Sequence, residues 1–164
     1  MAAVSYEYPW IGLVTDFKFR SQPGLAPSLG TLVHSMPHVE PLLDQAQHLI
    51  PVPLSGHRLS ERGFNQSHLL AQTLAPGKVL PKVLIRVNQQ VAQSQQDRLG
   101  RIEAMRNAFA VDPLLQGTIA GKRLTLVDDV MTTGATLYAA AQVLRAAGAA
   151  QITALVFART ELEI

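Results

Sequence analysis

Apolar and polar positions alternate between helical spacing and short continuous apolar runs, and the switches mark out the elements. Ile11, Leu13, Val14, Phe17 and Phe19, with Asp16, Lys18 and Arg20 between them, predict a helix over about Trp10 to Arg20, stopped by Gln22-Pro23-Gly24. A second helix is predicted over Ala26 to Ser35, before Met36-Pro37, and a short third between Val39 and Gln47. His48 to Pro53 predicts the first core strand. Its prolines mark ends and turns, because proline cannot donate to a ladder. Leu54 to Arg58 then reads as a polar loop, and Glu61 to Ala75 as a helix ended by Pro76-Gly77. Val83 to Val87 predicts a strand, Asn107 to Val111 an edge strand, and Ile152 to Arg159 a buried strand. The run from Leu124 to Val127 is apolar but for one threonine, as in a strand covered on both faces. Leu137 to Ala147 is alanine-rich, with Gly148 closing the helix. This alternation predicts an α/β fold: a mainly parallel twisted sheet flanked by helices, with an N-terminal helical cap.

Between two predicted strands, Asn88 to Arg106 is polar, with five glutamines and three arginines. Such a stretch is either a solvent-facing helix or a loop. The length of 164 residues predicts a single domain over 1–164, with 1–47 as the cap and 48–164 as the core. Aromatic residues make up 5%, so the core must rely on Leu, Val, Ile and Ala.

A net charge of +2 gives no strong drive toward nucleic acid, and no basic stripe interleaved with stacking aromatics is present. Direct nucleic-acid binding is therefore disfavoured. The absence of cysteine excludes disulfides and thiolate zinc sites. His34 and His38 are four apart, but Pro37 lies between them and no carboxylate completes a ligand set; they read as surface or capping histidines. No signal-peptide pattern and no apolar run of transmembrane length is seen, so no membrane association and a cytoplasmic location are expected.

The candidate chemistry lies at Leu124 to Thr136, in the order strand, Asp128-Asp129, hydroxyl-and-glycine loop, helix. Thr132, Thr133, Gly134, Ala135 and Thr136 bring backbone N–H groups and three hydroxyls to a helix N-terminus, an anion site suited to phosphate. Gly134 lets the backbone approach the anion closely. One step back, Asp128 and Asp129 can accept hydrogen bonds from adjacent ribose hydroxyls or hold a magnesium ion. A phosphate site beside a diol site describes a ribose 5-phosphate. The plainer alternative is that the acidic pair ends the strand and the loop is an ordinary connection. No Gly-Lys-Ser/Thr phosphate loop and no G-x-G-x-x-G at a helix start is present.

Val127 to Thr136 resembles the phosphoribosyl-diphosphate (PRPP) signature of the type I phosphoribosyltransferases. The chain resembles their ComF-like, competence-associated branch through Tyr8-Pro9 to Phe17-Lys18-Phe19, Pro51-Val52-Pro53-Leu54 with Arg62-Gly63-Phe64-Asn65-Gln66, and Asn107-Ala108-Phe109. The resemblance implies an enzyme that binds PRPP with Mg2+ and transfers the phosphoribosyl group to a nitrogen acceptor, releasing diphosphate. It assigns Asp128 and Asp129 to the ribose hydroxyls, with either able to assist proton removal, and Thr132, Thr133, Gly134, Ala135 and Thr136 to the 5-phosphate. Leu54, Ser55 and Gly56 go to the diphosphate and its magnesium, with Arg58 and Arg62 as cations. The polar stretch becomes a lid carrying Arg98 and Arg101, the cap becomes a hood beside the acceptor pocket, and a homodimer is expected. Phe64 reads as a packing residue, while Asn65 and Gln66 stay open. Two departures stand out: the branch usually carries a cysteine-rich zinc module ahead of this domain, and Asn88 stands where its pattern often has arginine. A second reading is therefore a non-catalytic module of the same fold that senses a phosphorylated ribose or serves a partner in DNA uptake. The acceptor is not named by the sequence; its specificity falls to the cap and to Phe157 to Thr160.

Overall fold

The computed structural model describes residues 1–19, 22–87 and 108–160. The main sheet has four parallel strands in the order β1 (Ala2–Ser5), β6 (Gln151–Arg159), β5 (Arg123–Met131) and β2 (His48–Pro51). Leu126 pairs with Ala154 on one side and with Ile50 on the other, which makes β5 a central strand. Helices cover both faces, as the continuous apolar runs require. On one face Leu49, Val127, Leu155 and Phe157 pack against α1 (Trp10–Phe19), α2 (Ala26–His34), α3 (Val39–Gln45) and α5 (Gln66–Leu74). On the other, Ile50, Leu124, Leu126 and Val156 pack against α7 (Ala135–Ala146) through Leu137, Ala140 and Leu144. Successive residues of β2 and β6 thus feed opposite cores, the period of two made visible. The α/β class and the mainly parallel sheet are as expected.

Several elements differ from the sequence reading. The first residues do not belong to a helical layer: Ala2–Ser5 forms an edge strand on β6, with Ala2 opposite Val156. Four half-buried residues give too short a run to signal this. The expected helix from Glu61 is two helices, α4 (Gly56–Arg62) and α5, so most of the expected polar loop is helical. Gly63 ends α4 in the left-handed region at φ 76°, and the Asn65 side chain caps α5 by accepting from the His68 N–H at 3.3 Å. Strands β3 (Leu84–Arg86) and β4 (Phe109–Val111) do not join the parallel sheet. They pair with each other, antiparallel, as a second sheet packed on the α7 side. A short helix, α6 (Gln116–Ile119), precedes β5. The proposed lid, Asn88 to Arg106, and its Arg98 and Arg101 lie outside the described residues.

Candidate functional site

Parallel strands put all their carboxyl ends at one edge, where open α/β sheets bind ligands. β5 delivers the acidic pair to that edge. The strand runs through Met131, so Asp128 and Asp129 stand inside its last turns of ladder rather than beyond it. Thr160 N–H donates to the Met131 carbonyl at 3.0 Å and ties the end of β6 to the end of β5. The chain then turns through Thr132 and Thr133, both exposed, into Gly134, which occupies the N-cap of α7 at φ 77°. Only glycine takes that conformation without strain. It brings no side chain to cap the helix, and Thr133 Oγ1 accepts from the Ala135 N–H at 3.4 Å, so the loop engages one of the first-turn donors. Asp128, Thr132, Gly134, Ala135 and Thr136 line one shallow pocket, about 200 Å³ of empty space including the solvent at its mouth. The structure therefore brings together Asp128 and most of the loop assigned to the 5-phosphate.

Both carboxylates are held from the opposite layer. Asp128 Oδ1 accepts from the Ser67 hydroxyl at 2.8 Å and from the Asp129 N–H at 2.9 Å. Asp129 Oδ1 lies 3.0 Å from Lys18 Nζ, with both side chains mostly shielded from solvent. Burial and the neighbouring Asp129 charge push the Asp128 carboxyl up to about 7, against the opposing pull of the Ser67 and backbone bonds and of Lys18. A carboxyl poised near neutrality can exist in either protonation state at working pH. Among the described residues no group of three or more His, Cys, Asp or Glu gathers to form a metal cage. The donor set here, one or two carboxylates beside an anion loop, fits a magnesium ion that arrives with phosphate oxygens of a ligand.

The second loop of the site follows β2. Val52 N–H donates to the Val127 carbonyl at 2.9 Å, and Asn65 Nδ2 donates to the Val52 carbonyl at 3.0 Å. These bonds tie the start of the loop to β5 and to the N-cap of α5. Ser55 caps α4 by accepting from the Arg58 N–H at 3.3 Å. Arg58 is exposed; Arg62 is half-buried and donates to Gln66 Oε1 at 3.2 Å. Arg62 is thus committed inward, whereas Arg58 is placed as a free-reaching cation would be.

Sequence reasoning missed three participants. Lys18 and Ser67 hold the acidic pair, and Arg86 of β3 is the third. The Arg86 guanidinium sits 5.3 Å from the centroid of the Phe109 ring. Burial and the charge of Arg58 lower its proton affinity, while the charge of Asp128 raises it. Lys18 stood within the Phe17-Lys18-Phe19 stretch of the resemblance without a role, Arg86 was visible only as a polar interruption in an apolar segment, and their partners lie far away in the chain.

The phosphoribosyl transferase domain family matches residues 65–161, which include the acidic pair and the anion loop. Competence protein ComFC of Bacillus subtilis is 39% identical over 102 residues, 62% of this chain and 40% of that protein. The DNA utilization protein YhgH of Salmonella typhimurium is 32% identical over 161 residues, 94% of this chain and 69% of that protein. The matched stretch therefore covers two fifths of the Bacillus protein's length. Among solved structures, glutamine PRPP amidotransferase from B. subtilis shares the fold, with a TM-score of 0.54 and 20% identity over 87% of this chain and 30% of that one. Signature, sheet topology and these likenesses converge: the chain belongs to the type I phosphoribosyltransferases, in their ComF-like branch.

Proposed function

We propose that the chain binds PRPP and transfers its phosphoribosyl group to a nitrogen acceptor, with release of diphosphate. The observation that carries this reading is the pocket shared by Asp128, Thr132, Gly134, Ala135 and Thr136 at the start of α7. In it the loop N–H groups hold the 5-phosphate, which the helix dipole favours. Asp128 and Asp129 accept from the ribose hydroxyls and face the positive charge that develops on the ribose during transfer. Leu54, Ser55 and Gly56, with Arg58 and Arg86, receive the negative leaving group. Magnesium, bound through the diphosphate, supplies further charge neutralisation there. Asp128, raised to about 7, is in its ionised form the candidate to take a proton from the acceptor. A cytoplasmic location and a homodimer complete the proposal. In support of the first, no helix among the described residues is long and apolar enough to cross a membrane.

A second reading keeps the site and drops the transfer: a binding module that serves partners in DNA uptake. The names of the relatives favour it, as does the inward engagement of both carboxylates. Calorimetric titration of PRPP, with and without Mg2+, into wild type and Asp128→Asn/Asp129→Asn separates the possibilities. Magnesium-dependent binding lost in the double variant supports a PRPP site. Diphosphate release with a panel of nitrogen acceptors then supports transfer, and its absence supports the module. Folded wild type that ignores PRPP overturns the transferase reading and leaves the fold as a scaffold for partners.

A further inference from the structure

The branch signature Arg62 to Gln66 and the Lys18 motif lie on different elements, and neither carries a role in the chemistry above. In the structure they are one connected system. Gln66 is 0% exposed, and its Nε2 donates to the Phe17 carbonyl at 3.3 Å and to the Lys18 carbonyl at 3.5 Å. These are last-turn carbonyls of α1, which have no partner within the helix. Arg62 Nη1 donates to Gln66 Oε1 at 3.2 Å and so orients the amide. Phe64 packs on Phe17, ring centroids 5.7 Å apart. The end of α1 is thereby fixed from two sides, and from that fixed end Lys18 Nζ reaches Asp129 Oδ1 at 3.0 Å.

The consequence concerns how the pair is oriented. Asp128 Oδ1 accepts from the Ser67 hydroxyl and the Asp129 N–H, and Asp129 Oδ1 lies against Lys18 Nζ. Asp128 lines the anion pocket, and Asp129, 8% exposed, follows it on β5. On the PRPP-site reading the pair would accept the two adjacent hydroxyls of a ribose, whereas a single phosphate or a deoxyribose would engage fewer of its oxygens. A shielded ion pair costs desolvation and gives little net stability over an apolar pair of similar size, so stability alone does not explain it.

We propose that Lys18, set by the Arg62–Gln66 relay, is a positioning residue that orients Asp129 so that the acidic pair accepts the 2,3-diol of a ribose 5-phosphate. The inference rests on the PRPP-site reading and adds to it a determinant of ribose selectivity located in the cap.

The test measures affinities of the full chain for inorganic phosphate, ribose 5-phosphate, 2-deoxyribose 5-phosphate and Mg-PRPP. Wild type is expected to prefer the ribose over the deoxyribose ligand by about tenfold, the factor for a lost charge-assisted hydrogen bond. Lys18→Met should keep its inorganic-phosphate affinity and lose the ribose preference, and Lys18→Arg should restore it. On an Asp129→Asn background, Lys18→Met should add nothing, because the lysine acts through that carboxylate. The proposal is overturned by a Lys18→Met protein that keeps the ribose preference, by equal loss for phosphate and both sugars, or by additive losses in the double variant. Should Lys18→Met alone not fold, Lys18→Met/Asp129→Asn is compared with Asp129→Asn alone: equal affinities for every ligand support the proposal, and a further loss overturns it. Wild type that binds Mg-PRPP without preferring ribose overturns this inference alone; wild type that binds no PRPP overturns the site reading with it.

Discussion

Asp128 shows what a functional carboxyl costs the fold. Its acidity is shifted from an ordinary 3.8 to about 7, chiefly by burial and then by Asp129. The sign of the effect on stability follows from the two states. Below about pH 4 folded and unfolded chains both hold the proton. Between about 4 and 7 only the folded chain holds it, so this group's contribution to stability falls as pH rises, and it is level above 7. The burden at pH 8 is on the order of a few kcal/mol. Asp128→Asn keeps an oxygen for Ser67 and for the Asp129 N–H but carries no charge. It should melt several degrees higher than wild type at pH 8, with the gain shrinking toward pH 4, while PRPP binding is lost. Calorimetric melts across that range check it. A variant less stable than wild type at pH 8 would contradict the burial account. The identities of Asp128, Asp129 and the loop were legible from local order alone. Ser67 and Lys18 were not, since hydroxyls and lysines signal nothing until the fold brings them alongside β5.

At the scale of elements, two glycines make opposite demands. Gly134 needs its conformation: at φ 77° an added Cβ would meet only Met131, at an ordinary 3.6 Å to its sulfur, so the penalty falls on the backbone. Gly134→Ala should cost about 1–2 kcal/mol and weaken phosphate binding, because the loop reshapes. Gly30 needs its size. It lies where α2 crosses α5, and a Cβ there would run into the Thr73 side chain. Gly30→Ala should cost about 1–3 kcal/mol while leaving phosphate affinity unchanged. Chemical denaturation paired with phosphate titration distinguishes the two. The long, two-sided strands β5 and β6 were legible because continuous burial leaves a continuous apolar run. Element ends were less so. The break between α4 and α5 was written in Gly63 and Asn65, but Glu61 to Ala75 read as one helix up to Pro76-Gly77. The antiparallel pairing of β3 with β4 has no local signal at all, because strand direction is decided by the path of the connection.

For the molecule as a whole, the order of strands and helices fixed the class, and the carboxyl edge fixed where to look for chemistry. What composition excluded also matters. With a net charge of +2 the chain should bind duplex DNA no better than micromolar at physiological salt, in the non-specific range. Affinity measured against salt concentration tests this, and nanomolar binding with a steep slope would overturn it.

The tie between Gln66, Phe17, Lys18 and Asp129 has one more consequence, for recombination. A crossover placed where the cap meets the core would look harmless in an alignment. It would separate residues 17 and 18 from 64, 66 and 129, part the Phe17 ring from Phe64, and leave Asp129 without its counter-charge wherever the other parent lacks a cation at position 18. Chimeras that inherit all four positions from one parent should keep the site, and cap libraries built to seek new acceptors should hold that quartet constant.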